Sequence, residues 1–186
     1  MKRLALCIFL AGCSGGASNA PEERWTGHIV SVQSAAFKDD APIPKKHASR
    51  DEGDNLSPLL TWSNPPAGVE EWAVICEDRD ASGSAWIHWA IYGIIKDAKG
   101  LPEGVTRDEE LARPAGARQG DNSWGDTGYG GPKPPRGDPP HKYRFIVYAL
   151  KKKLELPPGA TAGELRDAMK GFVIGRGEIV GTYQRQ

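Results

Sequence analysis

Two histidines and two aspartates carry most of the chemistry this sequence offers. Asp78 and Asp80 stand in the run Glu77-Asp78-Arg79-Asp80, His88 in Ile87-His88-Trp89, and His141 in Pro140-His141-Lys142. An Asp that accepts from a ring N–H fixes an imidazole and favours its protonated form. The other ring nitrogen can then donate to a phosphate or carboxylate oxygen, and charge-assisted bonds of that kind are the stronger ones. Tyr129, Pro132 and Pro134 come from a Gly/Pro-rich stretch just before His141. They would give such an anion an apolar wall without competing donors. Two histidines and an Asp can also hold a metal, but no His-x-x-x-His or similarly close spacing occurs. Residues 24–186 contain no Gly-x-Ser-x-Gly elbow to present a hydrolase nucleophile. A purely structural role, in which both histidines satisfy polar strand ends, stays open on the residues alone.

Strands must position these groups. Trp72-Ala73-Val74-Ile75-Cys76 is an apolar run closed by four charges, and Ile87 to Ile94 follows after a Ser/Gly-rich turn. So short a link predicts antiparallel neighbours. Asp78, ending one strand, then lies near His88, beginning the next, and is expected to orient it. Simple alternation places His88, Ala90 and Tyr92 on one face and Ile87, Trp89 and Ile91 on the other. After the loop from Asn122 to His141, the segment Tyr143 to Leu150 is apolar on both faces, which predicts an inner strand.

Elsewhere the pattern predicts strands near His28–Val32, Ser57–Trp62 and Glu178–Tyr183, and mostly loop from Asp97 to Gly120. His47, within Lys45-Lys46-His47-Ala48-Ser49-Arg50, reads as a solvated loop residue. Thr161-Ala162-Gly163-Glu164 matches a capping box. A helix carrying Leu165, Ala168, Met169 and Phe172 on its apolar face should follow, with Gly171 placed to disturb or end it.

The chain has 186 residues, enough for one ordinary domain. Its 24 basic residues balance 24 acidic ones, so there is no basic footprint for a nucleic acid partner. The 15 Pro and 23 Gly, together with several β-rich runs, favour a mainly β fold over a helix bundle.

The start of the chain reads as a targeting segment. Lys2 and Arg3 precede an apolar run, Leu4 to Ala11, that is too short to span a bilayer. Leu10-Ala11-Gly12-Cys13 resembles a bacterial lipobox, in which the Cys is acylated and becomes the mature N-terminus. This gives a signal peptide over residues 1–12, a lipidated tether over 13–23 and a domain over 24–186. Membrane attachment would then run through lipid on Cys13, on the periplasmic side in a Gram-negative cell. Cys76 would be left as the one thiol of the domain, with no internal disulfide to form. In its apolar strand it reads as a buried hydrophobe.

The segments Ser57-Pro58-Leu59-Leu60-Thr61-Trp62, Asp78-Arg79-Asp80-Ala81, His88-Trp89-Ala90-Ile91-Tyr92, Gly128-Tyr129-Gly130-Gly131-Pro132-Lys133-Pro134-Pro135 and His141-Lys142-Tyr143-Arg144-Phe145 occur in that order. Each is weak alone, but the ordered set resembles the phosphatidylethanolamine-binding protein family, in its bacterial branch related to Raf kinase inhibitor protein. The resemblance implies a large antiparallel β-sheet packed on a smaller one, with a few peripheral helices. It implies an anion pocket lined by Asp78, His88, Pro132, Pro134 and His141, with Asp80 in support. The chain has Arg79 and Ser82 where that family usually has prolines, so Arg79 is expected to add a positive charge at the rim. The function implied is non-catalytic binding of a small anion or phospholipid headgroup, with no cofactor or metal. An inhibitor of a protease or kinase-like partner, and an enzyme on a small phosphorylated or carboxylated substrate, are the alternatives.

Overall fold

The computed structural model describes residues 25–186. The signal segment, Cys13 and the tether lie outside these residues. Ten strands, one α-helix and one 3-10 turn make up the described chain. The strands are β1 (His28–Ile29), β2 (Ser31–Ser34), β3 (Ala41–Pro42), β4 (Leu60–Ser63), β5 (Glu71–Asp78), β6 (Trp86–Ile95), β7 (Gly100–Leu101), β8 (Arg118–Gln119), β9 (His141–Leu150) and β10 (Val173–Tyr183). The helix α1 spans Ala162–Met169, and the 3-10 turn spans Lys45–His47.

The large sheet has the order β1-β10-β9-β5-β6-β8, with β3 also on β10, and the small sheet has the order β2-β4-β7. The central pairs are antiparallel, whereas β1 and β3 join β10 in parallel, so the large sheet is mixed at that edge. The strand β5 is buried along its whole length because its apolar run meets packing on both faces. One face meets the small sheet: Leu60, Trp62 and Leu101 pack with Trp72, Val74, Trp89, Phe145 and Val147. The rings of Trp62 and Trp72 stand 5.5 Å apart across that layer. The other face carries Ala73, Ile75, Ala90, Tyr92 and Leu150 beneath Leu165 and Met169 of α1.

The helix begins as the capping box predicts. Glu164 N–H donates to Thr161 Oγ1, and Thr161 N–H donates to Glu164 Oε2 at 2.8 Å. It stops at Met169, and Gly171 takes φ +76°, so Phe172 lies beyond the helix rather than on its face. Two short strands, β7 and β8, break the stretch expected to be mostly loop.

The strand β6 carries two bulges where its register against β5 slips. At the second, Cys76 pairs with Trp89 and Glu77 with Ile87, which leaves His88 as the extra residue. Residues flanking a bulge break the alternation of faces. His88 therefore stands against Tyr143, on the same side as Trp89, and not on the Ala90 and Tyr92 face that alternation predicts.

Candidate functional site

One end of the large sheet gathers the chemistry. The last residue of β5, Asp78, pairs with Tyr143 on β9, and His141, the first residue of β9, pairs with Tyr183 at the end of β10. Asp78, Tyr143 and His141 thus share a face, since β9 alternates with period two. His141 Nδ1 donates to Asp78 Oδ2 at 2.7 Å. Asp78 Oδ1 accepts from the backbone N–H of Asp80 at 2.8 Å and of Ala81 at 3.2 Å. This folds the turn after β5 back over its own carboxylate. Asp80 Oδ2 in turn accepts from Lys142 N–H at 2.7 Å and ties that turn to β9.

Asp78 therefore orients His141, and the expected Asp78–His88 pair does not form. His88, displaced by the bulge, gives Nδ1–H to the Gly130 carbonyl at 2.7 Å instead. Its ring stands edge-on to Tyr143 and Trp124, with centroids 5.0 Å away in each case.

The two imidazoles are driven in opposite directions. For His88 burial dominates; it outweighs the Gly130 carbonyl and the charge of Asp78, and the pKa falls from 6.5 to about 4. For His141 burial also opposes protonation. There the bond to Asp78 and its charge, with Asp138 and Asp80 behind it, outweigh burial and raise the pKa above 6.5. Protonation is thus favoured at His141 and disfavoured at His88.

A cavity of about 400 Å³ opens above this pair. Asp80, Ser82, His88, Pro134 and His141 line it, joined by Trp86, Trp124, Lys133, Asp138 and Arg185. Asp78, 3% exposed, lies beneath the cavity and acts through His141. Tyr129 and Pro132 are not part of the wall. The Tyr129 ring is buried against Trp89, and its hydroxyl donates to the His47 carbonyl at 3.0 Å. Pro132 is buried and its carbonyl accepts from Ser49 N–H. Their loop is pressed onto residues 47–49; a Cβ at Gly131 would sit 2.2 Å from the His47 carbonyl oxygen, so only glycine permits that approach.

The same contact buries His47, which is fully enclosed rather than solvated. Its Nδ1 donates to the Leu56 carbonyl at 2.7 Å, and burial lowers its pKa. Arg79 also departs from expectation. It turns to the helix side of the sheet, where its Nε donates to Glu77 Oε1 at 2.6 Å beside Arg166 of α1. It adds no charge to the cavity rim.

Several lining residues were missed by sequence reasoning. Asp138 lies three residues before His141, with its Oδ2 3.5 Å from His141 Nε2, and that spacing was available to be noticed. Arg185 arrives from the far end of the chain because β10 pairs with β9, and no local pattern announces it. It is held by Glu52 and Asp51, each at 2.8 Å, while Lys133 also faces Asp51 at 3.2 Å.

The sequence matches the family profile described as phosphatidylethanolamine-binding protein over residues 33–184. A UPF0098 protein of Methanothermobacter thermautotrophicus is 39% identical over 156 residues, covering 84% of this chain and 99% of that one. LppC of Mycobacterium tuberculosis, named as a candidate lipoprotein, is 35% identical over 196 residues, covering 97% of this chain and 92% of that one. The crystal structure of Escherichia coli YbcL, described as a new member of the mammalian PEBP family, aligns with a TM-score of 0.79. It shares 34% identity and covers 84% of this chain and 99% of that one. With the family profile matched over residues 33–184 and relatives above 30% identity along most of its length, the chain belongs to the phosphatidylethanolamine-binding protein family.

Proposed function

We propose that this protein is a lipid-anchored binding module for a small oxoanion, of the kind a phosphate or a phospholipid headgroup presents, and that it binds without turnover. One observation carries the reading: the Asp78–His141 pair, at 2.7 Å, favours an imidazolium at the wall of the cavity. Lys133 and Arg185 add positive charge to the same cavity, against the carboxylates of Asp80 and Asp138 on its wall. Cys76, the thiol nearest the site in sequence, is buried with its pKa pushed up, so it does not serve as a nucleophile. No helix among the described residues is long and apolar enough to cross a membrane. Lipid on Cys13 would supply the attachment.

Calorimetric titration with phosphate tests the binding. His141→Ala removes a charge-assisted hydrogen bond worth roughly 1.5–3 kcal/mol, a loss in affinity of about 10- to 150-fold. A screen of phosphoesters and acyl esters tests the rest; turnover that disappears in both His88→Ala and His141→Ala would overturn the binding-only reading.

Trp124, 42% exposed at the cavity mouth, favours a second reading, in which the rim inhibits a protease or kinase-like partner. Under that reading Trp124→Ala abolishes inhibition, a larger loss than it causes in phosphate affinity.

A further inference from the structure

The two imidazoles offer a ligand opposite hydrogen-bond polarity. A backbone carbonyl only accepts, so the 2.7 Å bond to Gly130 places the His88 ring proton on Nδ1. The nitrogen left for the cavity, Nε2, is then a lone pair. Burial favours this neutral ring and, with the aid of nearby His141, outweighs the Gly130 carbonyl, the charge of Asp78 and the Gly131 carbonyl. The rings of Tyr143 and Trp124 close over its edges. His141 is the reverse case. Its Nδ1–H is spent on Asp78, and its Nε2 lies 3.5 Å from Asp138, longer than the 2.7–2.9 Å usual for a charge-assisted bond. A ligand oxygen that reaches that N–H shares it with Asp138. Asp80 and Asp138 also line the cavity, and ionised carboxylates only accept.

We infer that the cavity selects an oxoacid that keeps one proton, a phosphomonoester or hydrogen phosphate, over one that has none, such as sulfate or a phosphodiester. One ligand oxygen takes the His141 Nε2–H, and the ligand O–H donates to His88 Nε2. Sulfate or a diester would meet that nitrogen lone pair to lone pair. An intact phospholipid headgroup is a diester, and it is therefore the poorer ligand of this site. This inference rests on the oxoanion reading above.

The test compares inorganic phosphate, sulfate and dimethyl phosphate by calorimetry at about pH 5.5, where phosphate is a protonated monoanion. Dimethyl phosphate carries the same single charge without an O–H, and sulfate carries more charge. Charge alone ranks sulfate first; the lone pair on His88 ranks phosphate first. Phosphate is expected to bind tighter than either by roughly 5- to 150-fold, the usual penalty for leaving a buried acceptor such as His88 Nε2 unpaired. His88→Gln, whose amide can turn to donate, should bring the three within a few-fold of one another. Equal affinities in the parent protein overturn the inference and leave the oxoanion reading standing. Binding of none of the three removes both. Nitrogen-15 NMR of the parent imidazoles is independent of any variant: His88 should show a protonated Nδ1 and a lone-pair Nε2, and the reverse tautomer would refute the proposal.

Discussion

Asp78 holds His141 at 2.7 Å, and the two come from strands 63 residues apart that lie side by side in the large sheet. The carboxylate is itself held by two backbone N–H groups of the following turn. Asp78 therefore has one oxygen fixed by its own loop and one directed at the imidazole. A single carboxylate sets both the shape of the cavity floor and the charge of the histidine above it.

Asp78→Asn removes that charge but can keep the bonds to the turn. The His141 pKa, now raised above 6.5, should fall once the Asp78 charge that favours the imidazolium is gone. Anion affinity should rise as pH drops through the His141 pKa, and in the variant that midpoint should move to lower pH. Proton NMR of the imidazole and calorimetry over pH 5–9 measure the two together. A midpoint unchanged in Asp78→Asn would show that His141 does not bear the binding charge.

Much of this arrangement was legible in the sequence. Apolar runs bounded by turns and charges gave β5, β6 and β9 and made β9 an inner strand. Thr161 and Glu164 fixed the start of α1 to the residue. The partner of Asp78 was misread because period-two alternation cannot anticipate a bulge. One extra residue at His88 moves that ring to the other face, and the choice is made by β5 and by the Gly130 carbonyl, both distant in sequence. Tyr129 was misread for a related reason. A Tyr among glycines looks exposed until the backbone of residues 47–49 is seen lying across the loop.

Tyr129→Phe separates these roles. The hydroxyl bonds the His47 carbonyl in the core, not a ligand. Its removal should cost about 1 kcal/mol of stability, the usual net worth of such a bond. Phosphate affinity should stay within twofold of the parent. Urea unfolding and calorimetry on the same preparation check both. A large loss of affinity with stability intact would return Tyr129 to the cavity wall.

Arg79→Ala makes a parallel case on the other face. Arg79 is one of the arginines on buried Glu77, with Arg166 at 2.5 Å and Arg144 at 3.7 Å. The substitution weakens the neutralisation of an enclosed carboxylate, so thermal stability should drop while anion affinity and its pH midpoint hold. A drop in affinity without a drop in stability would place Arg79 at the rim after all.

The anchor is tested separately from the pocket. Cys13→Ala should abolish incorporation of a clickable fatty acid and release the protein from the membrane fraction or leave an unprocessed precursor. Equal labelling of parent and variant would remove the lipid anchor.

The last prediction concerns stability and pH, and it turns on His88. Its pKa is near 6.5 in the unfolded chain and about 4 when folded. Between these values the unfolded chain binds a proton that the folded one refuses, so stability falls as pH drops from 6.5 to 4. The 2.5-unit gap corresponds to roughly 3 kcal/mol, a full-sized effect for a ring only 2% exposed. His47, buried with its own pKa lowered, adds to the same slope. His141 acts in the other window. Its raised pKa contributes stability that is complete below 6.5 and is lost as pH climbs through the folded value. The parent protein should therefore lose stability on both sides of about pH 6.5, from different rings. His88→Gln should flatten only the acid limb, in part, and leave the alkaline limb as it was. Denaturant midpoints from pH 4 to 9 give both limbs in one series. An acid limb unchanged in the variant would mean that His88 is not the neutral, buried ring described above, and the lone pair assigned to the cavity would go with it.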